Sequence, residues 1–241
     1  MLYQNYVGRF GKALLLGGVC AGLLAGCNQA PTDDPDTVDG AVGGDTSLAM
    51  KNVAITAIVE HPALDDVRKG VIDELAEQGF TEGESLTVNF QSAQGNTATA
   101  GQIAKQFVAD APDVIVAIAT PSAQSVAAST SSIPMVFSAV TDPVAAKLVP
   151  KLDGSGTNVT GASDALPYAP QIDLMRQIIP SLKNVGYVYS PGEVNSTIVL
   201  KALKENLTPL GINVHEAPAQ RSNDIAMAAR SLEGKVDMIY T

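Results

Sequence analysis

Apolar positions along residues 52–241 fall into short runs of two alternating kinds. Residues 53–59 form a β-branched apolar stretch; residues 64–78 then carry Val67, Val71, Ile72 and Leu75 at helical spacing until Gly79 ends the pattern. A strand over 86–90, a helix over 97–109 and a strand over 114–118 follow, the last so unbroken in apolarity that burial on both faces is expected. A helix over 122–129 and a strand over 134–137 continue the series. Such strict alternation predicts a parallel sheet wrapped by helices.

Near Val159 the rhythm restarts: a helix over 167–179 closed by Pro180, then strands over 185–189, 212–216 and 236–240 with helices over 197–207 and 223–232 between them. Tyr187 and Tyr189 alternate along one strand, so both face the same side, where core packing is expected. Strand starts are similarly spaced in the two halves. An α/β chain of two lobes is therefore expected, 51–160 and 161–241, with a cleft where the carboxyl ends of both sheets collect a ligand. The second lobe is expected to be incomplete, because the pattern stops directly after a strand.

The first 50 residues follow different rules. Arg9 and Lys12 precede an apolar stretch over 13–24, then Leu24-Ala25-Gly26-Cys27. The stretch is shorter than the roughly 20 residues a membrane span requires, and Gly17, Gly18, Gly22 and Gly26 weaken it as a helix. These residues resemble a bacterial lipoprotein signal with its lipobox. That resemblance implies that residues 1–26 are removed and that Cys27 carries acyl chains on its sulfur and amino group. Residues 27–50 are rich in Asp, Pro and Gly, and read as an acidic, disordered tether between that anchor and the folded body.

Composition narrows the classes. Hydrophobic residues make up 46% and charged residues 17%, enough apolar material for a real core. The net charge is -10, and loss of Arg9 and Lys12 with the signal takes it to -12. An acidic body without a Lys/Arg cluster excludes nucleic acid as the expected partner. Cys20 lies inside the leader and Cys27 directly after it, so the folded body holds no disulfide, no thiol chemistry and no Cys-ligated metal. The body also lacks Trp, which disfavours a sugar ligand.

Candidate chemistry lies in the loops that follow the strands. Glu60 and His61 come after the first, Thr120 and Ser122 after the third, Thr141 and Asp142 after the fourth, Ser163 and Asp164 after the restart, and Asn195 within the loop 190–196. Hydroxyls and carboxylates at helix starts suit an anion, because free N–H groups and the helix dipole converge there; they also serve as ordinary N-caps. No H-E-x-x-H, G-x-S-x-G or G-x-x-x-x-G-K-[ST] occurs. Without an identifiable nucleophile, His61 reads as a polar wall or loop-packing residue before a base. No catalytic residue, metal site or cofactor is expected.

Glu60-His61-Pro62-Ala63-Leu64-Asp65, residues 107–110, 116–121 and 136–143, and Asn158-Val159-Thr160-Gly161-Ala162-Ser163-Asp164 resemble the solute-binding lipoproteins of ABC importers in the tryptophan/tyrosine-type group. The resemblance implies a type I periplasmic-binding-protein fold, two Rossmann-like lobes with parallel sheets, and a chain that continues past Thr241. It also implies a small ligand, an amino acid of aromatic or branched type, delivered to an ABC permease and its ATPase at a membrane. For such a zwitterion, Thr120, Ser122 and Thr141 would meet the carboxylate, Asp164 or Glu60 the ammonium, and Asn195 either group. A ligand-sensing lipoprotein serving a signalling receptor, or a hydrolase using His61, are the alternatives.

Overall fold

Eight short strands and six helices alternate along the chain in the computed structural model, which describes residues 49–241 apart from Ser155 and Leu166. The leader, Cys27 and all but the last two residues of the tether lie outside the described residues.

The first lobe is a five-stranded parallel sheet in the order β2-β1-β3-β4-β5, with strands β1 (Lys51–Ala57), β2 (Leu86–Ser92), β3 (Val114–Ile118), β4 (Met135–Val140) and β5 (Val159–Ser163). Side chains alternate across β1 as a strand requires. Val53, Ile55 and Ala57 pack with Val67, Val71 and Leu75 of helix α1 (Pro62–Glu77). Ala54 and Ile58 turn the other way, into a core shared with Phe107 of α2 (Thr97–Asp110) and Val126 of α3 (Thr120–Ala127). β3 is buried from Ile115 to Ile118, as its unbroken apolarity predicts.

The second lobe repeats this plan on three strands, β7-β6-β8, from β6 (Asn184–Tyr189), β7 (Asn213–Pro218) and β8 (Met238–Tyr240). Helices α4 (Tyr168–Ile178) and α5 (Val194–Leu207) cover one face through Ile172, Met175, Leu203 and Leu207, each worth roughly 1.5–3 kcal/mol on full burial. The short α6 (Ile225–Arg230) covers the other, where Ala228 and Leu232 pack with Ala217 and Val188.

One boundary needs correction. The apparent restart at Val159 is the fifth strand of the first sheet: Met135 pairs with Val159 and Val136 with Thr160, so the first lobe runs on past the expected break between Thr160 and Gly161. Gly161 sits there because a Cβ would lie 2.1 Å from the carbonyl oxygen of Phe137.

The lobes also share a fastening. Asp113, just before β3, accepts the backbone N–H of Asn52 at 2.8 Å and the ammonium of Lys51 at 2.9 Å. Asp237, just before β8, accepts the N–H groups of Lys183 and Asn184 at 2.9 and 2.8 Å. In each lobe an aspartate before the third strand thus caps the start of the first.

Candidate functional site

Backbone strain marks one end of the first sheet. Gln94, Ala119 and Ala139 have φ of 53°, 74° and 53°, in the left-handed region that L residues avoid, and they stand in or at the ends of β2, β3 and β4. Such conformations persist where surrounding structure holds them, and they gather at ligand sites.

The strained Ala119 turns β3 into α3. That helix starts without a side-chain cap, and its first turn is sealed from water: Thr120 is 2% exposed and Ser122 fully buried. Both hydroxyls, Thr120 Oγ1 and Ser122 Oγ, have no hydrogen-bond partner. A buried polar group without a partner costs about 1–3 kcal/mol. Both stand at a helix start, where the dipole favours negative charge.

The other predicted residues differ in their engagement. His61 is the N-cap of α1, its Nδ1 accepting the N–H of Ala63 at 3.3 Å, so the ring serves the helix start. Exposed Glu60 accepts the Gln94 amide at 2.7 Å. Asp142 caps its own loop through the N–H groups of Val144 and Ala145. Thr141 is half-buried, and its carbonyl accepts the Ser163 hydroxyl; Asp164 is exposed. Asn195, in the first turn of α5, keeps its Oδ1 buried and unpartnered.

Two adjoining cavities lie between the lobes. One, about 530 Å³, is polar and lined by Gly95, Asn96 and Thr97 of the first lobe and by residues 190–193, Gln220 and Arg221 of the second. The other, about 610 Å³, shares Gly95, Ser190, Glu193, Gln220 and Arg221 but is walled by Ile58, Val59, Val188, Tyr189, Ile225 and Ile239. A third, about 450 Å³, runs along α3 past Pro121, Gln124 and Ser125 to Gly192 and Glu193.

The loop 190–196 expected at the cleft does line these cavities, through Ser190, Gly192, Glu193 and Ser196, whereas none of the individual ligand contacts expected from sequence does; Thr120, Ser122 and Asn195 sit in the first turns of the helices beside them. The loops after β2 (94–96) and β7 (219–222) were the missed ones. Their signal was available, since they too follow strands, although Gly, Asn and Ser are equally the residues of ordinary turns. The two loops meet: a Cβ on Gly95 would lie 3.2 Å from Ser222 Oγ. Val194 of α5 likewise packs on the first-lobe core.

The second lobe carries stacked tyrosines with ring centroids 5.7 Å apart, Tyr187 in its core, as expected, and Tyr189 at the apolar cavity. Burial pushes the Tyr187 hydroxyl up to about 12, so it remains a neutral donor, here to the Ser196 carbonyl at 3.4 Å. Tyr189 donates to Glu216, whose carboxyl is held low chiefly by the Lys204 ammonium and then by that phenol. Among the described residues no His/Cys/Asp/Glu group is arranged to hold a metal ion, and no helix is long and apolar enough to cross a membrane.

Two parallel-sheet lobes meeting at a cleft with strained loops on its rim define a type I periplasmic binding protein. The family model for ABC transporter substrate binding proteins matches residues 52–241, and the chain belongs to that family. It is similar to a tyrosine-binding protein of Clostridioides difficile (strain R20291), with 37% identity over 229 residues, 95% of this chain and 66% of the relative. Of solved structures, it is similar to the ABC domain from Streptococcus pneumonia in complex with L-Trp, with 34% identity, TM-score 0.75, and 79% and 64% of the two chains covered. It is also similar to the ligand-free, open structure of a substrate binding protein with adhesive properties from Clostridium difficile, with 41% identity, TM-score 0.57, and 79% and 65% covered. The chain therefore spans less than two thirds of the length of each of these relatives.

Proposed function

We propose that this chain is the substrate-binding component of an ABC importer, capturing an amino acid with an apolar side chain between its lobes for delivery to a membrane permease and its ATPase. The observation that carries the reading is the pair of buried, unpartnered hydroxyls at the uncapped start of α3, beside a cleft that is polar in one part and apolar in the other. The polar part suits a zwitterionic head, the apolar part a large side chain. Relatives named for tyrosine and solved with L-Trp support the same class. A ligand that touches both lobes favours the closed arrangement, and a permease can then distinguish loaded from empty protein.

Lipid anchoring at Cys27 belongs to the same proposal and rests on the lipobox alone. It would hold the protein at a membrane surface in the cell envelope, within reach of the transporter. Cys27→Ser should release the protein from the membrane fraction without altering ligand affinity; a variant that stays bound counts against the anchor. For the ligand, the decisive screen is calorimetry of the protein against the amino acids, sugars and purines. Binding of a sugar or purine alone would sink the amino-acid reading.

A further inference from the structure

We infer that Glu193 is the carboxylate that receives the ligand's ammonium group. The inference rests on the amino-acid reading above and assigns the half of the ligand that the first lobe leaves unmet. The carboxylates of the first lobe fit that role poorly: Glu60 is exposed and holds the Gln94 amide, Asp142 caps its own loop, and Asp164 is exposed. None of them borders the cavities between the lobes.

Glu193 borders all three. It holds the N-cap position of α5, yet its side chain makes no capping bond, and among the described residues it forms no ion pair. It is half-buried, which for an unpaired carboxylate is unfavourable until a cation arrives. Of the cations that share its cavities, Arg221 is drawn to Asp224 at 3.7 Å, and Lys105 stands on the first-lobe side along α2. In the same turn the buried Asn195 Oδ1 is a second acceptor without a donor. The lobes thus present opposite needs: hydroxyl donors at a positive helix end in the first, bare acceptors in the second. An amino acid satisfies both only when it bridges them, so its ammonium becomes the group that rewards closure.

The test is calorimetric titration of wild type, Glu193→Gln and Glu193→Asp with L-tryptophan and L-tyrosine, and with indole-3-propionate and 3-(4-hydroxyphenyl)propionate, which lack only the ammonium. Glu193→Gln should weaken the amino acids about ten- to hundredfold and leave the deaminated acids unchanged. Glu193→Asp, which keeps the charge, should lose less, and it carries the test if the glutamine variant does not fold. Equal losses for both ligand sets, or undiminished amino-acid binding, overturn the assignment. If wild type binds neither of these nor any other amino acid, the amino-acid reading fails and this inference with it, an outcome distinct from a wild type that binds and a variant that binds as well.

Discussion

The two lobes share a plan and differ in where they spend their polar atoms. Each places its first strand between the second and third, and each fastens that strand's start with an aspartate, Asp113 or Asp237. Yet among the described residues every non-glycine with positive φ belongs to the first lobe, as do the buried, unpartnered hydroxyls of Thr56, Thr120 and Ser122. The second lobe offers stacked tyrosines, an uncommitted Glu193 and the Asn195 oxygen instead. One lobe holds strained backbone and sealed, unpaired hydroxyls; the other holds stacked tyrosines and unpaired acceptors. The shared plan follows from strand–helix alternation, whereas the difference is what a ligand with two unlike ends requires.

Packing tolerance offers the harshest test of the comparison. Gly161→Ala drives a Cβ into the carbonyl and ring of Phe137, at 2.1 and 2.5 Å, and backbone cannot step aside. It should destabilise the first lobe by about 3 kcal/mol or more. Gly186→Ala in the second lobe meets the Leu232 side chain at 2.7 Å, which can rotate, so about 1–2 kcal/mol is expected. Urea unfolding that ranks the two variants in reverse would break the comparison.

The aspartate fastenings should respond to acid in the same way. Backbone N–H donation, from Asn52 to Asp113 and from Lys183 and Asn184 to Asp237, holds both carboxyls below their ordinary range. A carboxyl lowered on folding stabilises fully above its unfolded value, about 3.9, and that stabilisation fades as pH falls through the lower folded value. Asp113→Asn and Asp237→Asn should each melt slightly below wild type at pH 7, the gap closing in acid. A gap that persists at low pH would mean that the charge is not its source.

Much of the fold was legible from residue pattern. β3 falls over 114–118 as expected, because a strand buried on both faces is continuously apolar. β5 was misread as a new beginning: Val159-Thr160-Gly161-Ala162-Ser163 is an exposed edge strand reached by a long connection, and nothing local tells which sheet it joins. The strand-end loops were legible from the pattern, but which of their side chains border the cavities was not. Thr120 and Ser122 stand out in sequence as strand-end hydroxyls that suit a ligand or a helix cap alike, and only tertiary packing reveals them sealed and unpaired. Glu193 lay within the loop 190–196, where no local signal set it apart; the structure starts α5 at Val194 and leaves Glu193 at the N-cap without a capping bond.

The central claim is that the first lobe keeps its buried hydroxyls unpaired for a ligand, and Ser122→Ala tests it most directly. Removing an unsatisfied hydroxyl should stabilise the empty protein by about 1 kcal/mol, while the loss of its bond to the ligand weakens L-tryptophan or L-tyrosine about tenfold in calorimetry. Thr56→Val, which removes the unpartnered hydroxyl within β1, should give the stability without the loss of affinity. A Ser122→Ala protein that melts lower than wild type and binds as well would contradict the account.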